Sequence, residues 1–119
     1  MSVNGALSID IARDFSRYPG GRYKRHGKNS GEAFRDELLV PRLTEAIRED
    51  RQLCVKIDGV RGYGSSFLEE AFGGLVRKAI FQPDEIRSHL KIQVEDVRFS
   101  IYADLIDRYI SEASLAAAG

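Results

Sequence analysis

Two adjacent serines, Ser65 and Ser66, stand between spaced glycines and a pair of glutamates in "GVRGYGSSFLEEAFGG". A hydroxyl in that setting has three chemistries open to it. It can cap a helix, because Ser66 and Glu69 have the spacing at which a serine oxygen accepts from an early amide and the glutamate reaches back. It can carry a phosphate, since free amides and the positive end of a helix dipole favour an anion there. It can act as a nucleophile, which requires an adjacent base and an oxyanion hole. A triad of Ser66, Asp58 and either His26 or His89 has no such signpost, and the two histidines lie far apart in the chain. No catalytic residue is assigned, and a small serine hydrolase stands as an alternative only. Gly59, Gly62 and Gly64 strip side chains from the turn, so that a partner can approach its backbone.

A second cluster is cationic. The run "RYPGGRYKRHGK" holds Arg17, Arg22, Lys24 and Arg25, candidates for binding an anion such as a phosphate on the serine or on a partner's nucleotide. The first thirty residues carry six cationic side chains against two carboxylates, a local excess of four, although the whole chain sums to zero. Neutrality argues against general nucleic-acid binding; stacking of Tyr18 and Tyr23 on bases would need a broader basic surface. "GYGSSF" lacks the third glycine of a dinucleotide fingerprint, and the phosphate-loop pattern is missing. A nucleotide- or anion-binding domain that uses the basic loop and the serine turn is therefore the alternative to a docking module.

The lone Cys54 gives neither an internal disulfide nor a zinc cluster, and no metal or cofactor is expected. The sequence shows no signal-peptide pattern and no apolar run of membrane-spanning length, so the expected location is the cytoplasm.

The elements that must hold these residues read from periodicity. Ile9, Ile11 and Phe15, then Leu53, Val55 and Ile57, then Leu90, Ile92 and Val94 alternate with polar neighbours, the period of strands buried on one face. "NSGEAFRDELLVPRLTEAIRED" reads as a helix with a capping box at Asn29 and Glu32 and a kink or restart at Pro41. A second helix is expected over residues 67–79, a turn or short helix at "QPDEIRSH", and a last helix over residues 100–113. Arg22–His26 leaves room for a hairpin on the first strand. Tails are expected at residues 1–7 and 114–119 of one domain spanning the chain. The fold class is α/β: two layers, a small mixed or mostly parallel sheet with helices mainly on one face.

Gly73 and Gly74 fall on the less apolar side of the second helix, beside Glu69 and Glu70. Each mid-helix glycine costs about 1 kcal/mol relative to alanine, so the pair asks for a reason. Close packing within the domain is one; a smooth strip for another chain's backbone, flanked by the glutamates, is the other.

The segment "VKIDGVRGYGSSFLEEAFGGLV", together with "SGEAFRDELLVPRL", resembles the STAS-like domain family of unknown function. That family is similar to anti-sigma-factor antagonists and to the STAS domains of sulfate transporters. In phosphorylated antagonists, a strand ends in an Asp-Ser-Ser-Gly-type turn at a helix start. The second serine is modified there by a kinase with a histidine-kinase-like ATPase fold. The resemblance places Ser66 at the modified position and Ser65 beside it; Gly64 replaces the aspartate and Phe67 the glycine. It implies a protein-interaction or regulatory switch module, with no catalytic activity of its own. The implied partner is a histidine-kinase-like ATPase or an anti-sigma-factor-like kinase. The expected partner surface comprises Arg61, Tyr63, Glu69, Glu70, Gly73 and Gly74; neither membrane nor nucleic acid is expected as a partner, and a homodimer is permitted.

Overall fold

Leu53, Val55 and Ile57 are fully buried, whereas Cys54 and Lys56 between them are half-exposed on the other face of the same strand. One-sided burial requires a sheet covered by helices on one face, and that is the architecture found. The structure, a computed structural model, describes residues 7–118. Strands β1 (Leu7–Asp10), β2 (Leu53–Lys56) and β3 (Leu90–Gln93) form a parallel sheet in the order β1-β2-β3. Leu7 pairs with Leu53, and Leu53 with Leu90, so the chain advances across the sheet one strand at a time. Steady advance through crossovers of one hand returns every connecting helix to the same face.

Helix α1 covers residues 31–48 as three contiguous stretches, Gly31–Phe34, Arg35–Leu39 and Val40–Arg48. Helix α2 covers residues 65–77 as Ser65–Leu68, Glu69–Gly73 and Gly74–Arg77. In each, the middle stretch is a wide π turn: Val40 N donates to Arg35 O, and Gly74 N to Glu69 O, one residue further back than in an α-helix. The wide turn of α1 ends at Leu39, two residues before Pro41, which has no amide hydrogen to continue the regular ladder. Helix α3 (Pro83–His89) leads into β3, and α4 (Ser100–Ala118) closes the layer against α2. Phe34 touches Phe15, Phe67 and Phe72, with ring centroids 5.4–6.1 Å apart, at the centre of the core. No helix among the described residues is long and apolar enough to cross a membrane.

Several expectations shift. β1 ends at Asp10 rather than continuing to Phe15; the chain coils into a single wide turn, Ile11–Phe15, closed where Ser16 N donates to Ile11 O at 2.9 Å, with Asp10 N donating to Asp14 Oδ2 at 2.8 Å. Ile11 stays buried and Phe15 still packs on the core, so the alternation described burial correctly but not backbone. Arg22–His26 makes no hairpin. Its Lys24–His26 portion is one 3-10 turn, and the loop instead offers Gly21 O and Arg22 O to the amides of Gly31 and Glu32 at 2.9 and 3.0 Å. The α1 cap is Ser30, whose hydroxyl accepts from Ala33 N at 3.1 Å, not Asn29; Glu32 bonds Lys24 N instead of closing a box. Of the expected tails, residues 1–6 and 119 lie outside the described residues. Leu7 already pairs in β1, and α4 continues to Ala118.

α2 ends at Arg77 with a Schellman-type close, Ile80 N donating to Leu75 O at 3.0 Å and Ala79 N to Val76 O at 2.8 Å. Ala79 holds the left-handed position at φ 55°, where an L side chain meets the next carbonyl. Ala79→Gly should therefore raise unfolding stability by about 0.5–1 kcal/mol, the relief of that contact exceeding the entropy glycine adds to the unfolded chain. Urea titration should show a higher midpoint with an unchanged slope; a lower midpoint would contradict the geometry.

Candidate functional site

The serine turn hangs from the carboxyl end of β2 and is fixed from three sides. Asp58 is buried, and its carboxylate accepts from the amides of Glu95 (2.9 and 3.0 Å, one to each oxygen) and Asp96 (2.7 Å), tying the end of β2 to the end of β3. Gly59 reverses the chain at φ 87°, with Ala12 Cβ 3.1 Å from where its own Cβ would lie. Tyr63 folds back so that its hydroxyl donates to Ile57 O at 2.8 Å, and its ring meets Tyr102 edge-on at 5.1 Å. Burial, reinforced by the Asp58 and Asp10 carboxylates, drives the Tyr63 hydroxyl well above the ordinary tyrosine pKa, so it stays a donor. Behind the turn, a Cβ on Gly31 would lie 2.4 Å from Phe67 O, so α1 and α2 touch backbone to backbone.

The two serines occupy the first positions of α2, with Ser65 exposed and Ser66 half-buried. Gly64 is the cap residue, and it has no side chain to bond the helix start. The expected box of Ser66 and Glu69 is not made. Glu69 turns away to the guanidinium groups of Arg22 and Arg77, and a charge-assisted pair outweighs a return bond to one amide. Neither serine hydroxyl, nor the amides of Ser65, Ser66 and Phe67, finds a hydrogen-bond partner among the described residues.

Deeper in, α1 and α2 are joined by a charge. Arg35 is 2% exposed and Glu70 1%, and Arg35 Nη1 lies 2.6 Å from Glu70 Oε2. The same nitrogen donates to Glu70 O at 2.9 Å. Because Gly74 N reaches past that carbonyl to Glu69 O, the wide turn leaves Glu70 O without its regular helical donor, and Arg35 supplies one. Arg22 and Arg77 complete the cluster at 3.2 and 2.9 Å from Glu70 Oε1. A Cβ on Gly74 would come within 2.6 Å of Arg35 Nη1, and one on Gly73 within 2.9 Å of Glu69 Oε2. The glycine pair thus sits inside the domain, making room for the arginine. Glu70, Gly73 and Gly74 are buried rather than forming an outer strip, and Tyr63 is held by its own bonds. Arg61 and the exposed part of Glu69 remain on the surface from the expected partner set.

The cationic loop divides in the same way. Arg22 is taken by Glu69 and Glu70, Lys24 lies 3.1 Å from Asp36, and the Arg25 guanidinium stacks 4.8 Å from the Tyr23 ring centroid. Arg17 is exposed, and its side chain has no partner among the described residues. Arg61 N donates to Arg17 O at 2.8 Å, which brings the loops after β1 and β2 together at one end of the sheet. Between them lies an open hollow of about 400 Å³ lined by Arg17, Tyr18, Gly59, Val60 and Arg61. The residues of the hypothetical triad are engaged separately. Asp58 holds the β3 end, His26 Nδ1 accepts from Tyr23 N, and His89 contacts Glu85 O and Asp50.

Sequence reading missed Arg35 and the clamp role of Asp58. Arg35 carried a signal: a charged residue inside the apolar period of one helix, with paired glycines in the other. Asp58 carried none beyond its place at a strand end.

A parallel sheet with helices on one face and a serine turn at the strand ends defines a STAS-like α/β module. Residues 30–96 match the STAS-like domain of unknown function (DUF4325), and the chain belongs to that family. The match begins at the α1 cap and ends at the Asp58 clamp, so it contains the serine turn and both partners of the buried pair. No curated protein and no solved structure matches the chain.

Burial acting alone would raise the Glu70 carboxyl; hydrogen bonds from Arg35 and Arg22 and the charge of Arg77 outweigh it and hold the group below its ordinary value. A carboxyl lowered in the folded state adds stability that is complete above its unfolded pKa and is lost as pH falls through the folded one. Glu70→Gln should cost about 3 kcal/mol at neutral pH, because Arg35 is left charged and buried. The deficit should narrow as the pH drops below the ordinary carboxylate range, since the wild type is then losing the same interaction. Urea unfolding at a series of pH values checks both; a deficit independent of pH would remove the ion pair as its cause.

Proposed function

We propose that this chain is a protein-docking and switch module whose readable element is the Ser65–Ser66 turn, with Ser66 as acceptor of a phosphoryl group from a histidine-kinase-like ATPase. What carries the reading is the unclaimed hydroxyl: Ser66 lies at a helix start without acting as its cap. A phosphate there adds about −1.5 to −2 charges at neutral pH and has the free amides of the first turn to accept from. Glu69, the nearest acid in sequence, is already covered by two arginines, which lowers the repulsion a phosphate would meet. The docking face under this reading is the turn itself, Arg61, Gly64, Ser65 and Ser66, extended by Arg17 across the hollow. Gly64 adds no obstruction, since nothing lies within 4 Å of where its Cβ would be.

The hollow also supports a second reading, a small-anion or nucleotide site held by Arg17 and Arg61. Its openness to solvent and the exposure of both arginines favour a transient contact over a dedicated pocket.

The protein, incubated with ATP and the histidine-kinase-like ATPases of the same cell, should gain the mass of one phosphate by intact-mass spectrometry. Ser66→Ala should abolish that gain and Ser65→Ala should not; a gain indifferent to Ser66→Ala would move the site elsewhere. For the second reading, ATP and inorganic phosphate should raise the melting temperature of the wild type but not of an Arg17→Ser, Arg61→Ser variant. Equal shifts in both would exclude the hollow.

A further inference from the structure

The two edges of the sheet are finished differently. Leu7 N donates to Gln52 O and Ile57 N to Gln93 O. In a parallel ladder alternate residues bond the same neighbour, so Ser8 and Asp10 turn their backbone groups outward at the β1 edge and Ile92 does so at the β3 edge; Val94, one residue past the strand, continues the alternation, since Glu95 N beyond it turns inward to Asp58. At β1 these groups are covered: Arg42 Nη1 donates to Ser8 O at 2.9 Å, and Asp10 N donates to Asp14 Oδ2 at 2.8 Å. At β3, nothing among the described residues meets the outward amides and carbonyls of Ile92 and Val94. Beside this open edge runs a groove of about 260 Å³ whose lining mixes apolar residues, among them Ile92, Ile106 and Ile110, with Arg87, Lys91 and Asp107.

We propose that the β3 edge joins two copies of this chain, strand to strand and antiparallel, about a two-fold axis through Gln93. Charge selects this occupant and this register. Lys91 is exposed and has no ionic partner among the described residues, and Glu95, 60% exposed, sits on the same polar face, 3.2 Å from Lys56. An axis at Gln93 sets Lys91 opposite Glu95 of the second copy, twice by symmetry, and makes Ile92 and Val94 of the two copies a hydrogen-bonded pair. An axis at Ile92 would set Lys91 against Gln93 and lose both ion pairs; one at Lys91 would oppose like charges. The edge is therefore self-complementary in one register, as an isologous contact requires, and its backbone groups supply the pairing seen when a strand is added to an open sheet. The two grooves then flank the new six-stranded sheet on its helical side. The serine turn contributes no residue to this edge, so dimer and switch stand or fall separately.

Sedimentation equilibrium of the full chain should show a concentration-dependent dimer. Lys91→Glu should raise its dissociation constant about tenfold, and adding Glu95→Lys should restore it. Facing residues at the axis form a pair whose Cα atoms lie about 4.5 Å apart, within disulfide reach. In a Cys54→Ser background, Gln93→Cys should therefore cross-link into dimers on mild oxidation, and Lys91→Cys should not. Circular dichroism should show the same fold for all four variants. A chain that stays monomeric up to about 1 mM, a dimer indifferent to Lys91→Glu, or equal cross-linking of the two cysteine variants would overturn the proposal.

Discussion

A guanidinium enclosed between two helices sets the terms for the rest of the molecule. Arg35 is the largest fully buried side chain, and a charge at that depth is tolerated only when it is paired and its donors are met. Each requirement has a structural answer. Glu70 supplies the opposite charge, the wide turn of α2 supplies a carbonyl with no helical donor, and Gly74 supplies the space. In other folds, replacing such a cluster with apolar residues is often neutral for stability, since buried pairs seldom exceed their desolvation cost by much. Here the cluster also fixes register, because an arginine that bonds both a side chain and a main-chain oxygen of one residue admits a single axial position of α1 on α2.

That register reaches the functional turn through contact of backbone with backbone. With α1 locked against α2, Gly31 lies on the Phe67 carbonyl, and the first turn of α2 has no freedom to slide. From the sheet side, the Asp58 clamp and the Tyr63 hydroxyl hold the approach to the same turn. The serines are thus carried by a frame rigid on both sides while their own hydroxyls take no part in holding it. A serine at the cap position itself would have stabilised α2 by only about a few tenths of a kcal/mol over the glycine that stands there. A turn that keeps its hydroxyls and amides available gives up a little local stability, and the buried pair holds its position from behind.

The sequence was legible where burial alone decides structure. Alternation in "LCVKID" and "LKIQVE" identified two strands, their exposed face and the one-sided layer, because a period of two leaves little choice once a helical layer is present. It misjudged the end of β1, since Ile11 and Phe15 can be buried equally well from a coil, and burial was the quantity being read. Local polar rules were the least reliable. Asn29 with Glu32 and Ser66 with Glu69 both have capping-box spacing, yet both glutamates bond elsewhere, one to a distant amide and one to two arginines. A spacing rule compares a side chain with its near neighbours only, and these bonds join residues far apart in the chain. The same limit explains the glycine pair, whose reason lies in another helix.

Charge makes the point most clearly. The excess of cations in the first thirty residues suggested a basic surface, but its sum counts groups that fold onto acids elsewhere. Arg22 ends between Glu69 and Glu70, and Lys24 against Asp36, so much of the excess is used to bind the loop to α1 and α2. Arg25 is held over an aromatic face. Arg17 stays outside this network and lies beside Arg61, from a different loop that contributed nothing to the original count. The cationic feature at the strand ends is therefore a product of topology: parallel β1 and β2 release their loops at the same end, and two arginines remote in sequence become neighbours. A surface of that origin is read by removing every paired charge first and asking which elements deliver the remainder.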